Sequence, residues 1–73
     1  MSKPPIVRPS ELIRTLQKTG FVVKRKSGSH FFLTHPDGRA TSISVHSRPV
    51  PPGTLRAILK QTETPVEKLK ELL

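Results

Sequence analysis

Phe21-Val22-Val23-Lys24-Arg25-Lys26-Ser27-Gly28-Ser29-His30-Phe31-Phe32-Leu33-Thr34 is the stretch that decides the fold. β-Branched and aromatic side chains fill both of its ends, and these suit a pleated surface. Ser27-Gly28-Ser29 interrupts them with a residue free to take positive φ. The two runs therefore read as strands 21–26 and 30–34 joined by a tight turn. Plain alternation puts Phe21, Val23 and the stem of Arg25 on one face of the first strand, with Lys24 and Lys26 on the other. The second strand has aromatic bulk on both sides. Phe31 and Leu33 share one face; His30, Phe32 and Thr34 share the other. If Phe31 and Leu33 turn to a core, His30 is exposed beside three cations.

On the N-terminal side, Ser10 reads as an N-cap with Glu11 in the first turn, where the helix dipole favours an anion. Leu12, Ile13 and Leu16 make one apolar stripe, and Gly20 supplies a left-handed residue after it. Leu16 and Phe21 fall at the two positions that touch in a Schellman ending, so a helix is expected over residues 10–19. Residues 1–9 contain three prolines and read as a flexible arm, leaving 10–73 as a single domain.

On the C-terminal side, His35-Pro36-Asp37-Gly38-Arg39 is a hairpin turn. Residues 40–45 alternate, with Thr41, Ile43 and Val45 on one face and Ser42, Ser44 and His46 on the other. Ser47 to Gly53 is a proline-rich loop that cannot continue a sheet. A second helix follows on Leu55, Ile58 and Leu59. Thr64-Pro65-Val66-Glu67 opens a third, short one as a capping box, with Val66, Leu69 and Leu72 or Leu73 on its apolar side. The expected class is α+β: α-β-β-β-α, a three-stranded antiparallel sheet with helices on one face, plus a short C-terminal helix.

Thirteen Lys and Arg against five Asp and Glu give a net charge of +8 over 73 residues. Outside residues 12–62 the four cations and four acids balance; inside, nine cations face the single acid Asp37. The excess is concentrated in the middle of the chain, and such a field gathers anionic partners, nucleic acid first. The chain has no cysteine, which excludes disulfides and thiolate metal sites. No apolar run reaches the length of a membrane span and no signal-peptide core follows the N-terminus, so a cytoplasmic protein is the expectation.

Asp37 stands alone in its turn, so paired-carboxylate chemistry has no candidates. His30, His35 and His46 lack acidic companions and sit among cations, an arrangement poorly suited to a metal. Histidine acting on RNA is the chemistry that fits. The RNA's own 2′-hydroxyl supplies the nucleophile, and the protein needs a base for its proton, cations for the phosphate and an acid for the leaving oxygen. His30 is the candidate base. Lys24, Arg25 and Lys26 are candidate phosphate-holding groups, with backbone N–H groups near Gly28 and Ser29. On residue types alone, however, a lone histidine at a strand start is more often a surface or hydrogen-bonded group, and Phe32 is either core or a base-stacking surface. Arg39, Arg56 and Lys60 read as a solvated or phosphate-holding face.

Read in order, Ser10-Glu11-Leu12, Gly20-Phe21 with Arg25, Gly28-Ser29-His30, His35-Pro36-Asp37-Gly38-Arg39 and Gly53-Thr54-Leu55-Arg56 resemble the HicA-type toxins of toxin–antitoxin modules. The likeness runs from about Ser10 to the C-terminus. It implies a fold like the double-stranded RNA-binding domain and an mRNA interferase without cofactor or metal. It also implies catalysis by His30 on single-stranded mRNA and inhibition by a HicB-type antitoxin that covers the same surface; the reading of the residues adds RNA contacts by Lys24, Arg25, Lys26, Gly28, Ser29 and Arg39. Two positions depart from the family pattern: Phe31 stands where members often have a second histidine, and Ser44 where many have proline. Two other readings remain open. One is a non-catalytic RNA- or DNA-binding module; the other is a basic face that meets only an acidic protein.

Overall fold

The computed structural model describes residues 4–73. Its elements run α1 (Pro9–Lys18), β1 (Val22–Ser27), β2 (His30–Thr34), β3 (Ala40–Ser44), α2 (Pro52–Gln61) and α3 (Val66–Leu72). The strands form one antiparallel sheet in the order β1-β2-β3. The expected α+β class and its element order hold.

The core lies between the helices and one face of the sheet. Leu12 and Leu16 of α1, Leu33 of β2, Ile43 of β3, Leu55 of α2 and Leu69 of α3 are all essentially inaccessible. These are the apolar stripes that the periodicity picked out, and removing them from water drives the fold. The opposite face is open: His30 and Ser42 are exposed, and Phe32 and Thr34 are half-buried. Phe31 and Leu33 point inward as expected, with Leu33 in the core and Phe31 packed against it.

Helix α1 ends as its sequence requires. Phe21 N–H donates to the Leu16 carbonyl at 3.1 Å and Gly20 N–H to that of Gln17 at 3.1 Å, the two bonds of a Schellman motif. Gly20 takes φ +104°, and a Cβ there would lie 2.8 Å from His35 Nε2. Its start differs from expectation. The N-cap is Arg8, whose N–H donates to Glu11 Oε1 at 2.9 Å, and Ser10 lies inside the first turn. The loose arm expected through residue 9 is likewise corrected at its inner end. Val7 is 1% exposed, its carbonyl accepts from Val50 N–H at 2.8 Å, and Pro9 begins the helix. Residues 1–3 of that arm lie outside the described residues. Helix α2 also starts early, because Pro52 is favourable at the first helical position. Helix α3 begins at Val66, with Pro65 as its N-cap.

The two hairpins differ in kind. Ser27 pairs with His30, leaving a two-residue turn with Gly28 at φ +59°; positive φ at the first position alone is the type II′ pattern. In the other, Gly38 N–H donates to the His35 carbonyl and His35 N–H to that of Arg39, both at 2.9 Å, with Gly38 at φ +99°. That is a three-residue loop closed by a left-handed glycine.

Candidate active site

The register of β1 against β2 is the feature that builds the open face. Val22 pairs with Thr34 and Val23 with Leu33, but Phe32 is opposite Arg25, Phe31 opposite Lys26 and His30 opposite Ser27. Lys24 is therefore the extra residue of a β-bulge. Directly opposed residues share a face. Beyond the bulge the alternation is inverted, which corrects the expectation that Arg25 lies with Val23 and that Lys24 and Lys26 share the other side. Arg25 stands on the open face with Phe32 and His30, its guanidinium carbon 4.5 Å from the centre of the Phe32 ring. Lys26 turns to the helix side, its ammonium 5.1 Å from the centre of Phe31. Lys24 joins Arg25 and Phe32 in lining a shallow depression of about 370 Å³. The bulge thus divides the three consecutive cations between the two sides of the sheet.

His30 begins β2 immediately after the Gly28 turn, fully on the open side. Its partner on β3 is Ser44, and Ser44 Oγ lies 3.0 Å from His30 Nδ1. A hydroxyl donates or accepts as required, so this contact persists whether or not the imidazole is protonated. Nε2 has no hydrogen-bond partner among the described residues. At the edge of β3 lies a cleft of about 470 Å³, lined among others by His30, Ser42, Ser44, His46, Arg48 and Thr54 and, from the core side, by Ile43 and Ile58. An exposed imidazole, a second imidazole and a guanidinium thus border one cleft. Gly28 and Ser29 supply the turn that delivers His30 to this face; a Cβ at Gly28 would meet nothing, so the glycine is there for its backbone angle.

Arg39 is not brought to this cluster. It lies at the far end of the sheet, five residues of extended strand or about 16 Å from His30. There its Nε donates to Asp37 Oδ2 at 2.8 Å, its Nη1 to the Thr62 carbonyl, and its guanidinium carbon is 5.1 Å from the Phe21 ring centre. Asp37 in turn accepts from Arg39 N–H at 3.0 Å. That backbone bond is the main reason its carboxyl is held below the usual aspartate range; slight burial opposes it, and the Arg39 side chain and His35 reinforce it. His35 is also committed: Nε2–H donates to the Thr19 carbonyl at 3.1 Å, and the ring meets Phe21 edge-on at 5.1 Å. Its Nδ1 faces both Asp37 N–H at 3.2 Å and Asp37 Oδ1 at 3.0 Å, so Asp37 satisfies it in either protonation state.

The Ser44–His30 contact and the Arg25–Phe32 stack were not found from the sequence. Alternation did place Ser44 on the open face, but the register that brings it opposite His30 needs the pairing of β2 with β3. Among the described residues, no group of three or more His, Cys, Asp or Glu is arranged to hold a metal ion, and no helix is long and apolar enough to cross a membrane.

No curated protein matches the chain. The family model described as the HicA toxin of bacterial toxin–antitoxin systems matches residues 9–63, from the first residue of α1 to two residues past α2 and across the whole sheet. That match covers well over half of the 73 residues, and with an α+β architecture like the double-stranded RNA-binding domain it is decisive: the chain belongs to the HicA toxin family.

Proposed function

We propose that this toxin is a metal-independent endoribonuclease that cleaves mRNA with His30 as the general base. As a member of a toxin–antitoxin family it has a cognate antitoxin partner; we take that partner to be a HicB-type protein that covers the open face. The observation that carries the reading is His30 itself: exposed, tied through Nδ1 to Ser44, and bordering a cleft with His46 and Arg48.

In the proposed step, His30 Nε2 takes the proton of the ribose 2′-hydroxyl as its oxygen attacks phosphorus. The P–O5′ bond breaks, a 2′,3′-cyclic phosphate forms, and the 5′-oxygen leaves with a proton from an acid on the cleft, for which His46 is the available imidazole. Developing charge on the non-bridging oxygens is balanced by Arg48 on the cleft and by backbone N–H groups at the Gly28 turn, while Lys24 and Arg25 hold the adjoining part of the RNA. Lys26 contributes to the general positive field from the other side of the strand.

The test is cleavage of an mRNA in excess chelator by the wild type and by His30→Ala. The wild type is expected to cut, and His30→Ala to lose on the order of 10²–10⁴-fold in rate, the usual worth of a positioned base. Undiminished cleavage by His30→Ala would sink the assignment, and loss of wild-type activity in chelator would sink the metal-free mechanism. Salt-dependent RNA binding with no cleavage and no growth arrest on expression would return the non-catalytic module.

A further inference from the structure

We infer that Arg25, whose guanidinium sits over the Phe32 ring, is a stacking platform for one unpaired nucleobase next to the reacting phosphate. This subsite rests on the reading above only for its ligand being RNA.

Three observations converge on it. Arg25 would lie on the buried side of β1 by simple alternation, and the bulge at Lys24 turns it to the open face. Bulges re-aim side chains in this way beside functional sites. Its guanidinium carbon then lies over the Phe32 ring, 4.5 Å from the ring centre, while the residue stays exposed. Finally, the depression beside it is lined by Lys24, Arg25 and Phe32 alone. A half-buried aromatic on the solvent face of a sheet, roofed by a planar cation and flanked by an ammonium, is an arrangement for a flat, electron-rich ligand on a polyanionic chain.

Guanidinium planes and aromatic faces are the surfaces on which unstacked bases rest, and the contact is tolerant of sequence because every base has a π-face. Phe32 holds the guanidinium in place, which limits the side-chain freedom lost when a base lands on it. His30 and Phe32 are two residues apart on the same face of β2, about 7 Å along the strand. One nucleotide of extended RNA covers such a distance, with its phosphate at His30 and the adjoining base over Arg25. Lys24, at the bulge, is the point charge for the next phosphate. A duplex would hide its bases from this platform, so the subsite selects single-stranded RNA.

Charge and plane are separated by Arg25→Lys, which keeps the cation and loses the flat surface. Binding is measured by fluorescence anisotropy of a labelled single-stranded RNA, in a His30→Ala background so that nothing is cut. Arg25→Lys is expected to weaken binding about tenfold with the salt dependence unchanged, and Phe32→Leu to do the same. Moving one abasic nucleotide along the oligomer should find a single position at which Arg25→Lys no longer weakens binding. If the Arg25→Lys variant binds as tightly as its parent, or if every abasic oligomer binds like the intact one, the inference is overturned. Arg25 is then a phosphate contact, or the platform serves a protein partner instead. Because cleavage is scored separately on the His30 protein, a wild type that stacks RNA without cutting it would refute the nuclease reading and leave the subsite standing.

Discussion

The two ends of this sheet are built from nearly the same parts and use them differently. At each end a turn carries a glycine at positive φ, and a histidine and an arginine stand beside it: Gly28, His30 and Arg25 at one, Gly38, His35 and Arg39 at the other. At the Gly38 end the histidine and the arginine are both engaged. His35 bonds the carbonyl that follows α1 and packs on Phe21, while Arg39 ties Asp37 to the carbonyl that follows α2. At the Gly28 end His30 has one hydroxyl partner and Arg25 rests on one ring, both exposed. Groups whose hydrogen-bonding capacity is used internally hold a fold together; groups left facing solvent with capacity to spare can act on something else. Residue type does not separate the two roles here. The difference lies in whether a helix end is within reach.

The sharpest way to break the comparison is to exchange losses between the histidines. His30→Ala is expected to remove cleavage while its unfolding free energy stays within about 0.5 kcal/mol of wild type, as for other exposed positions. His35→Ala leaves the Thr19 carbonyl without its donor and strips an edge contact from Phe21. It should lose about 1–3 kcal/mol in urea unfolding, with cleavage per folded molecule unchanged. A His35→Ala protein of full stability, or one that is folded and inactive, would erase the distinction.

Next in size is Gly20→Ala, which acts on the link between the Gly38 end and α1. A side chain at φ +104° is strained by about 1–2 kcal/mol, and its Cβ would sit 2.8 Å from His35 Nε2. The imidazole must move, and with it the bond to Thr19. The expected destabilisation exceeds about 2 kcal/mol, and in a Gly20→Ala/His35→Ala double variant the two losses should be less than additive because they share one contact. Strict additivity would mean that the ring is not what fills the space above Gly20.

How much of this was legible beforehand follows the range of the interactions. The end of α1 was readable because Leu16, Gly20 and Phe21 lie within six residues and their angles are fixed by local chemistry. Leu33 inside and His30 outside followed from alternation. The bulge at Lys24 did not, since it exists only in the pairing of β1 with β2, and missing it put Arg25 and Lys26 on the wrong sides. Arg39 looked like a phosphate-holding cation because its acceptor, the Thr62 carbonyl, is 23 residues away along the chain. Val7 looked like part of an arm because the strand-like bond that anchors it comes from Val50. Among the open-face groups, Ser44 was visible as a residue but not as His30's partner.

A gentler probe is Arg39→Lys. It preserves the cation but cannot hold Asp37, the Thr62 carbonyl and the Phe21 face with one planar group. A loss of about 1 kcal/mol in stability is expected, with RNA affinity and its salt dependence unaltered. The same exchange at Arg25 is expected to do the reverse, leaving stability alone and weakening RNA binding. If Arg39→Lys instead lowers RNA affinity at constant stability, the cation belongs to the RNA-binding surface after all, and the two ends of the sheet act together.

The smallest effect is on pH, and it belongs to one end only. Asp37 is the single carboxylate between Glu11 and Glu63, and its carboxyl is held below the ordinary aspartate value of 3.8, first by the Arg39 N–H and then by the Arg39 side chain and His35. A carboxylate whose pKa is depressed by folding stabilises the folded state above its unfolded pKa and ceases to do so as pH falls through the folded one. Asp37→Asn removes that charge at every pH. Wild type should therefore melt above Asp37→Asn at neutral pH, and the gap in Tm should close as the pH is lowered past the usual aspartate range. The group is exposed, so salt should narrow the gap as well. Parallel Tm curves from neutral to strongly acid conditions would show that the Asp37–Arg39 pair contributes nothing to the Gly38 end, and that His35 and the core alone hold it.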